Sequence, residues 1–183
     1  TFDKASMREI ADESGMSASS IYRFFPNQES LLVAAAARAT RNFNTIFAGL
    51  IDRYADQPEK VFDVMVNSFI NFISENDSFF QMMTILMSQG NLNPESSRAI
   101  EEVMNDSLDL IENVFKKLNY AHNTRLLSQY IFSSMMGIIV SYNKLPRGNR
   151  QNVVSLMKHL GRMTYEFVLN CPKNRIESIL TPR

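Results

Sequence analysis

The chain has 183 residues, 45% of them hydrophobic and 21% charged, with 19 basic and 19 acidic side chains and no net formal charge. That profile excludes an intrinsically disordered chain and a generally basic nucleic-acid coat, so any surface for nucleic acid has to be local. A single cysteine, Cys171, rules out an internal disulfide and fits a reducing cytoplasm, the expected location.

In chain order the pattern is helical throughout. Ser6 and Glu9 have the capping-box spacing, in which the serine oxygen takes a backbone N–H and the glutamate reaches back, so a helix is expected over residues 7–14. Gly15 ends it, and Ser17 caps a second short helix over 18–24. Pro26 and Asn27 open a long helix over 28–54, with Phe43, Ile46, Phe47, Leu50, Ile51 and Tyr54 at three- and four-residue steps. At about 1.5 Å per residue it would be roughly 40 Å long, enough to run from one lobe into another. Further helices are expected over 59–74, 78–89, 94–118, 124–144 and 149–170, and the six prolines fall between helical segments.

The helix opened by Pro94 carries Ile100, Met104, Leu108, Ile111, Phe115 and Leu118 as one apolar stripe. By contrast, 79–89 and 126–143 are apolar around most of their circumference and should be the most buried. Segment 126–143 has no charge over 18 residues, but Ser128, Gln129, Ser133, Ser134, Ser141 and Asn143 interrupt it. It therefore reads as a helix between protein surfaces, and no membrane span is expected. The tail from Pro172 is polar, with Ile176, Ile179 and Leu180 to dock it. The fold class is all-α.

The stretch "SMREIADESGMSASSIYRFF", residues 6–25, breaks one short helix only to start another whose outer positions are small and polar. Ile10 and Ala11 are expected to face Met16, Ile21 and Phe24 across the "SGMS" turn, with Gly15 taking the positive φ of a sharp exit. Small Ala11 lets the second helix cross closely, which is a helix-turn-helix spacing. The outward positions Ala18, Ser19, Ser20, Tyr22 and Arg23 suit a helix lying in the roughly 12 Å wide major groove, where bulk collides and guanidiniums read base edges.

The longer run "SMREIADESGMSASSIYRFFPNQESLLVAA" strongly resembles the DNA-binding headpiece of the tetracycline-repressor (TetR) family of transcriptional regulators. The resemblance lies in the IA pair, the G-M-S turn, the "SIYRFF" recognition helix and the F-x-N-x-E-S-L passage into the next helix. It covers about 30 residues, and the later helices resemble the family's body only in number and length. It implies that Ser17 and Ser20 hydrogen-bond phosphates, that the Tyr22 hydroxyl reaches the backbone, and that Ala18, Ser19 and Arg23 lie closest to base edges. Gln28 stands where the family most often has lysine. It can donate to a phosphate but brings no charge, so the salt dependence there should be weaker. The family's headpiece also has a helix before these residues, so residues 1–5 read as the loop after it and the sequence as lacking its true N-terminus. On this reading 1–41 is the helix-turn-helix domain, N-terminally incomplete, and 42–183 a helical effector-binding and dimerisation domain.

An enzyme is not expected. His122 and His159 read as solvated or capping residues, the glycines never cluster into a phosphate cradle, and no G-x-S-x-G or H-E-x-x-H motif occurs. No catalytic residue, metal or cofactor is assigned. The expected function is a transcriptional regulator, by resemblance a repressor, bound to a palindromic double-stranded DNA operator and released by a small, mostly apolar effector. The alternative is a DNA-binding protein of the same fold controlled by a protein partner, with no small-molecule effector.

Phe69, Phe72, Phe80, Met83 and Met104 are the expected lining of an adaptable apolar pocket, and no charge lies between Asp77 and Glu95. A homodimer is expected through the last two long helices. There Ser133, Gly137 and Ser141 form a small-residue stripe at four-residue spacing, and Gly161 offers a similar gap. The long helix over 28–54 would carry displacements of the body to the recognition helices.

Overall fold

The computed structural model describes residues 6–88, 92–120, 123–143 and 149–180, and of Pro58, Glu59, Met87, Ser88, Glu177 and Leu180 only the backbone. Among the described residues there are nine α-helices and no strand. They are α1 (Met7–Glu13), α2 (Ala18–Phe24), α3 (Gln28–Arg53), α4 (Pro58–Glu75), α5 (Asp77–Ser88), α6 (Pro94–Lys117), α7 (Thr124–Tyr142), α8 (Arg150–Asn170) and α9 (Lys173–Leu180). The all-α expectation holds. The expected loop at 1–5, residues 89 and 144 at two expected helix ends, and His122 lie outside the described residues.

Side-chain caps open several of the helices. Asn27 Oδ1 accepts from the Ser30 N–H at 2.8 Å at the start of α3, and Asn149 Oδ1 accepts from the Gln151 N–H at 2.9 Å at the start of α8. The tail beyond Pro172 forms α9, a helix that its polar composition does not announce. Lys173 Nζ donates to the carbonyls of Leu118 and Asn119, at 2.9 and 3.2 Å, and lies 4.9 Å from the centre of the Tyr120 ring. A cation on the carbonyls that close α6 satisfies groups the helix leaves unpaired and suits its negative end.

The chain divides into two compact units. One gathers Thr1–Phe43 with Asn76–Met104, the other Asn44–Glu75 with Asn105–Arg183. The expected boundary after Arg41 falls inside α3, which continues to Arg53.

In the first unit, Leu32, Val33 and Ala36 of α3 form a cluster with Met82 and Leu86 of α5. Phe79, Met83, Leu92, Ala99 and Ile100 pack against it. In the second unit α4, α7 and α8 pack together, and Phe62 of α4, Phe115 of α6 and Tyr165 of α8 form an aromatic group. The Phe62 ring centre is 4.9 Å from that of Phe115 and 5.8 Å from that of Tyr165, within the range of favourable aromatic pairs. Helix α7 departs from the expected burial on all sides: Leu127, Ile131, Met135 and Ile139 are buried, while Leu126, Tyr130 and Val140 stand exposed on the opposite face.

Candidate nucleic-acid interface

The headpiece is built by two caps and a turn. Ser6 Oγ accepts from the Glu9 N–H at 3.3 Å, and Glu9 Oε2 accepts from the Ser6 N–H at 2.6 Å, the reciprocal capping box read from the sequence. The Ser6 N–H and then its hydroxyl hold the Glu9 carboxyl below the usual carboxylate range. At the other end of α1, Gly15 adopts φ +65°, its N–H donates to Asp12 O at 3.1 Å, and the Met16 N–H donates to Ala11 O at 2.9 Å. This pair of reversed bonds around a left-handed glycine closes the helix and turns the chain sharply. Ser17 then starts α2 by accepting from the Ser20 N–H at 3.1 Å.

Ala11 is completely buried and lets α2 cross close to α1. With Met7 and Ile21 it makes the headpiece core, against which Ile10, Ala18, Phe25 and Leu31 pack. Two residues expected on this inner side are not there: Met16 and Phe24 are exposed. Phe25 takes the inner place: as the extended residue after α2 it packs against the headpiece core, while Phe24, in the last turn of the helix, does not.

The expected DNA-binding residues divide by position. Ser19, Tyr22 and Arg23 are exposed on α2. Ala18 is half-buried and partly engaged with the headpiece core, so it projects less than Ser19 or Arg23. Ser17 Oγ lies 2.9 Å from Ser19 Oγ and 2.8 Å from Ser20 Oγ, a hydroxyl cluster at the start of the helix beside its positive end. Gln28 is half-buried at the start of α3.

The residues expected to line a ligand pocket fall in both units. Phe80 is buried on α5, Met83 is half-buried on α5 and Met104 half-buried on α6, all in the first unit. Phe69 and Phe72 are half-buried on α4 in the second. The second unit also has an open groove of about 390 Å³ lined by Ala48, Ile51, Asp52, Leu110, Asn113, Lys116 and Lys117, none of them among the expected five.

The residues expected at a dimer interface separate in the same way. Ser133, Gly137 and Ser141 are exposed on α7, on the face that carries Leu126, Tyr130 and Val140. Gly161 is buried within the protomer, where a Cβ would lie 2.7 Å from Val66 Cγ1 and 3.1 Å from Met135 Sδ. On α8 the exposed apolar residues are Leu156, Met163 and Phe167, the last two 65% and 66% exposed. Among the described residues no helix is long and apolar enough to cross a membrane, and no group of three or more potential metal ligands gathers.

Residues 2–35, which include α1, α2 and the start of α3, match the sequence model of the bacterial regulatory proteins of the tetR family. No curated protein matches the chain in sequence. Solved structures share the fold: the transcriptional regulator FadR from Bacillus subtilis in complex with stearoyl-CoA is similar with a TM-score of 0.75 at 15% identity, covering 89% of this chain and 88% of that one. FadR from Bacillus halodurans, a fatty acid degradation regulator, is similar with a TM-score of 0.67 at 20% identity over 89% and 88% of the two chains. Thermus thermophilus FadR, a TetR-family repressor in complex with lauroyl-CoA, is similar with a TM-score of 0.64 at 14% identity over 90% and 85%. The chain thus carries, over residues 2–35, a segment similar to the headpiece of the bacterial tetR-family regulatory proteins, and the described helices share the fold of these solved regulators.

Proposed function

We propose that the protein is a repressor that occupies a palindromic operator as a homodimer and leaves it when a mostly apolar small molecule binds. The observation that carries the DNA half is the outward face of α2. Serines and one arginine are displayed on a helix held close to its neighbour by Ala11, which is the composition a major-groove helix needs. Ser17, Ser20, Tyr22 and Gln28 are the proposed backbone-facing set, and Ala18, Ser19 and Arg23 the base-facing set.

The dimer reading is supported by α7 and α8, which pack on each other in the protomer and still leave Leu126, Tyr130, Leu156, Met163 and Phe167 uncovered. A second copy covering both faces would bring together four helices. The small residues Ser133, Gly137 and Ser141 would allow close approach.

For the effector, fatty acyl thioesters are the first candidates, because two proteins of the same fold hold stearoyl-CoA and lauroyl-CoA. Met83 packs against the cluster containing Leu32, Val33 and Ala36, on the helix that begins with Gln28. A ligand that displaces Met83 would act on α3 directly and so on the residues set against DNA. Coupling of about 1–3 kcal/mol would lower operator affinity 5- to 150-fold. The test is fluorescence anisotropy on selected operator DNA with lauroyl-CoA, stearoyl-CoA and free CoA added. Release by the acylated forms alone supports the reading, and Met83→Trp should then bind DNA normally without responding. Thermal stabilisation by ligands that never changes DNA affinity would overturn ligand control and favour a protein partner.

A further inference from the structure

Phe24 is 60% exposed on the last turn of α2, while its neighbour Phe25 packs into the headpiece core. It follows Ser20 by one helical turn and so borders the outward face of the helix. The Arg23 guanidinium lies over the Phe24 ring, 4.9 Å from its centre. This large, mostly solvated aromatic on α2 is not part of the headpiece core. Its ring cannot hydrogen-bond a phosphate, so a backbone-positioning role is closed to it as well. Two roles fit. The stacked ring restricts Arg23, which otherwise has many rotamers to lose when its planar fork aligns with guanine O6 and N7. The free edge of the ring is apolar, and the C5-methyl of thymine is the apolar group that base edges present in the major groove.

We propose that Phe24 is a specificity-determining residue of the headpiece: its ring packs on a thymine methyl in each half-site and holds Arg23 for the neighbouring base pair. The assignment rests on the reading of α2 as the DNA-facing helix and adds to it both a base and a chemical group on that base.

The test uses the full chain and DNA selected by it from random oligonucleotides. Each thymine of the selected site is replaced in turn by deoxyuridine, which removes the methyl and nothing else, and affinity is measured for the unmodified protein, Phe24→Ala and Phe24→Leu. In the unmodified protein one thymine per half-site should lose about four-fold, the factor expected for one methyl-sized group. Phe24→Ala should show no loss at that thymine and a reduced preference at the base pair read by Arg23. Phe24→Leu should keep the methyl dependence and show the same reduced preference, since it is apolar but offers the guanidinium no ring. Because Phe24 is exposed, both variants should keep their helical circular dichroism and their affinity for random DNA.

If the unmodified protein and Phe24→Ala respond alike to every deoxyuridine, or if Phe24→Ala weakens selected and random DNA equally, the assignment is overturned. Selection that enriches no sequence would overturn the DNA-facing reading of α2 together with it. Enriched, discriminated DNA without a Phe24-dependent methyl would remove Phe24 alone.

Discussion

Asn93 donates two hydrogen bonds to a single carboxylate oxygen of Glu29, 2.6 Å from its side-chain amide and 3.1 Å from its backbone N–H. The same side chain caps α6, its Oδ1 accepting from the N–H groups of Glu95 and Ser96 at 3.0 Å each. One residue therefore fixes where α6 begins and ties it to the first turn of α3. Asn93→Ala should cost about 1–3 kcal/mol in urea denaturation, from the lost cap and the lost bonds to a charged acceptor. Asn93→Asp would keep the cap but set a second carboxylate beside Glu29. It should be less stable than the unmodified chain at pH 7, because the two like charges repel.

Gly161 and Gly137 should respond in opposite senses to alanine. A Cβ at Gly161 meets Val66 Cγ1 at 2.7 Å, so Gly161→Ala should lose about 1–3 kcal/mol by overpacking α8 against α4. A Cβ at Gly137 meets nothing within 4 Å, so Gly137→Ala should raise protomer stability by about 0.5–1 kcal/mol through helix propensity. Equal effects in thermal denaturation would contradict the placement of both residues.

Much of this was legible because it is local. The capping box of Ser6 and Glu9, the left-handed Gly15 and the Ser17 cap each depend on residues within three or four positions, and each is found where the spacing puts it. What was not legible depends on partners distant in the chain. Nothing near Asn93 announces Glu29, nothing near Lys173 announces the end of α6, and a glycine on a helix does not say whether its gap is filled within the chain, as at Gly161. The exchange of Phe24 for Phe25 is a smaller failure of the same kind. Both lie within a turn of Ile21, and only the packing of α2 on α1 decides which one is inside.

Tyr165 should give the second unit an alkaline dependence of stability. Its hydroxyl donates to Asp63 Oδ1 at 2.9 Å, and burial, then that bond and the charge of Asp63, push the phenol well above its ordinary value of 10. A pKa raised on folding contributes stability that is complete below the unfolded value and is lost as pH rises through 10 toward the folded value. Tyr165→Phe should therefore lose about 0.5–1.5 kcal/mol at pH 7. Above pH 10 it should decline less steeply than the unmodified chain. Parallel declines in denaturant midpoints between pH 9 and 11 would show that Tyr165 does not titrate in this way.

If the proposed homodimer forms through the exposed faces of α7 and α8, substitutions there should separate its protomers without unfolding them. Met163→Glu and Phe167→Glu alter side chains that are about two-thirds exposed, so the helical signal should survive while light scattering reports monomers. Gly137→Leu, which places bulk between Leu126, Tyr130 and Val140 on the same face, should act likewise. If all three variants remain dimers, association uses another surface.

The measurement that bears most directly on the account is selection of DNA from random oligonucleotides by the full chain, followed by affinity measurement on the enriched site. A dimer presenting two copies of α2 predicts an inverted repeat whose half-sites lie about 34 Å, one helical turn, apart or a multiple of that spacing. Arg23→Ala should cost about 1–3 kcal/mol on that site and relax the sequence at one position per half-site, while Tyr22→Phe weakens selected and random DNA alike. Enrichment of no sequence, or of an asymmetric one indifferent to Arg23, would contradict the account.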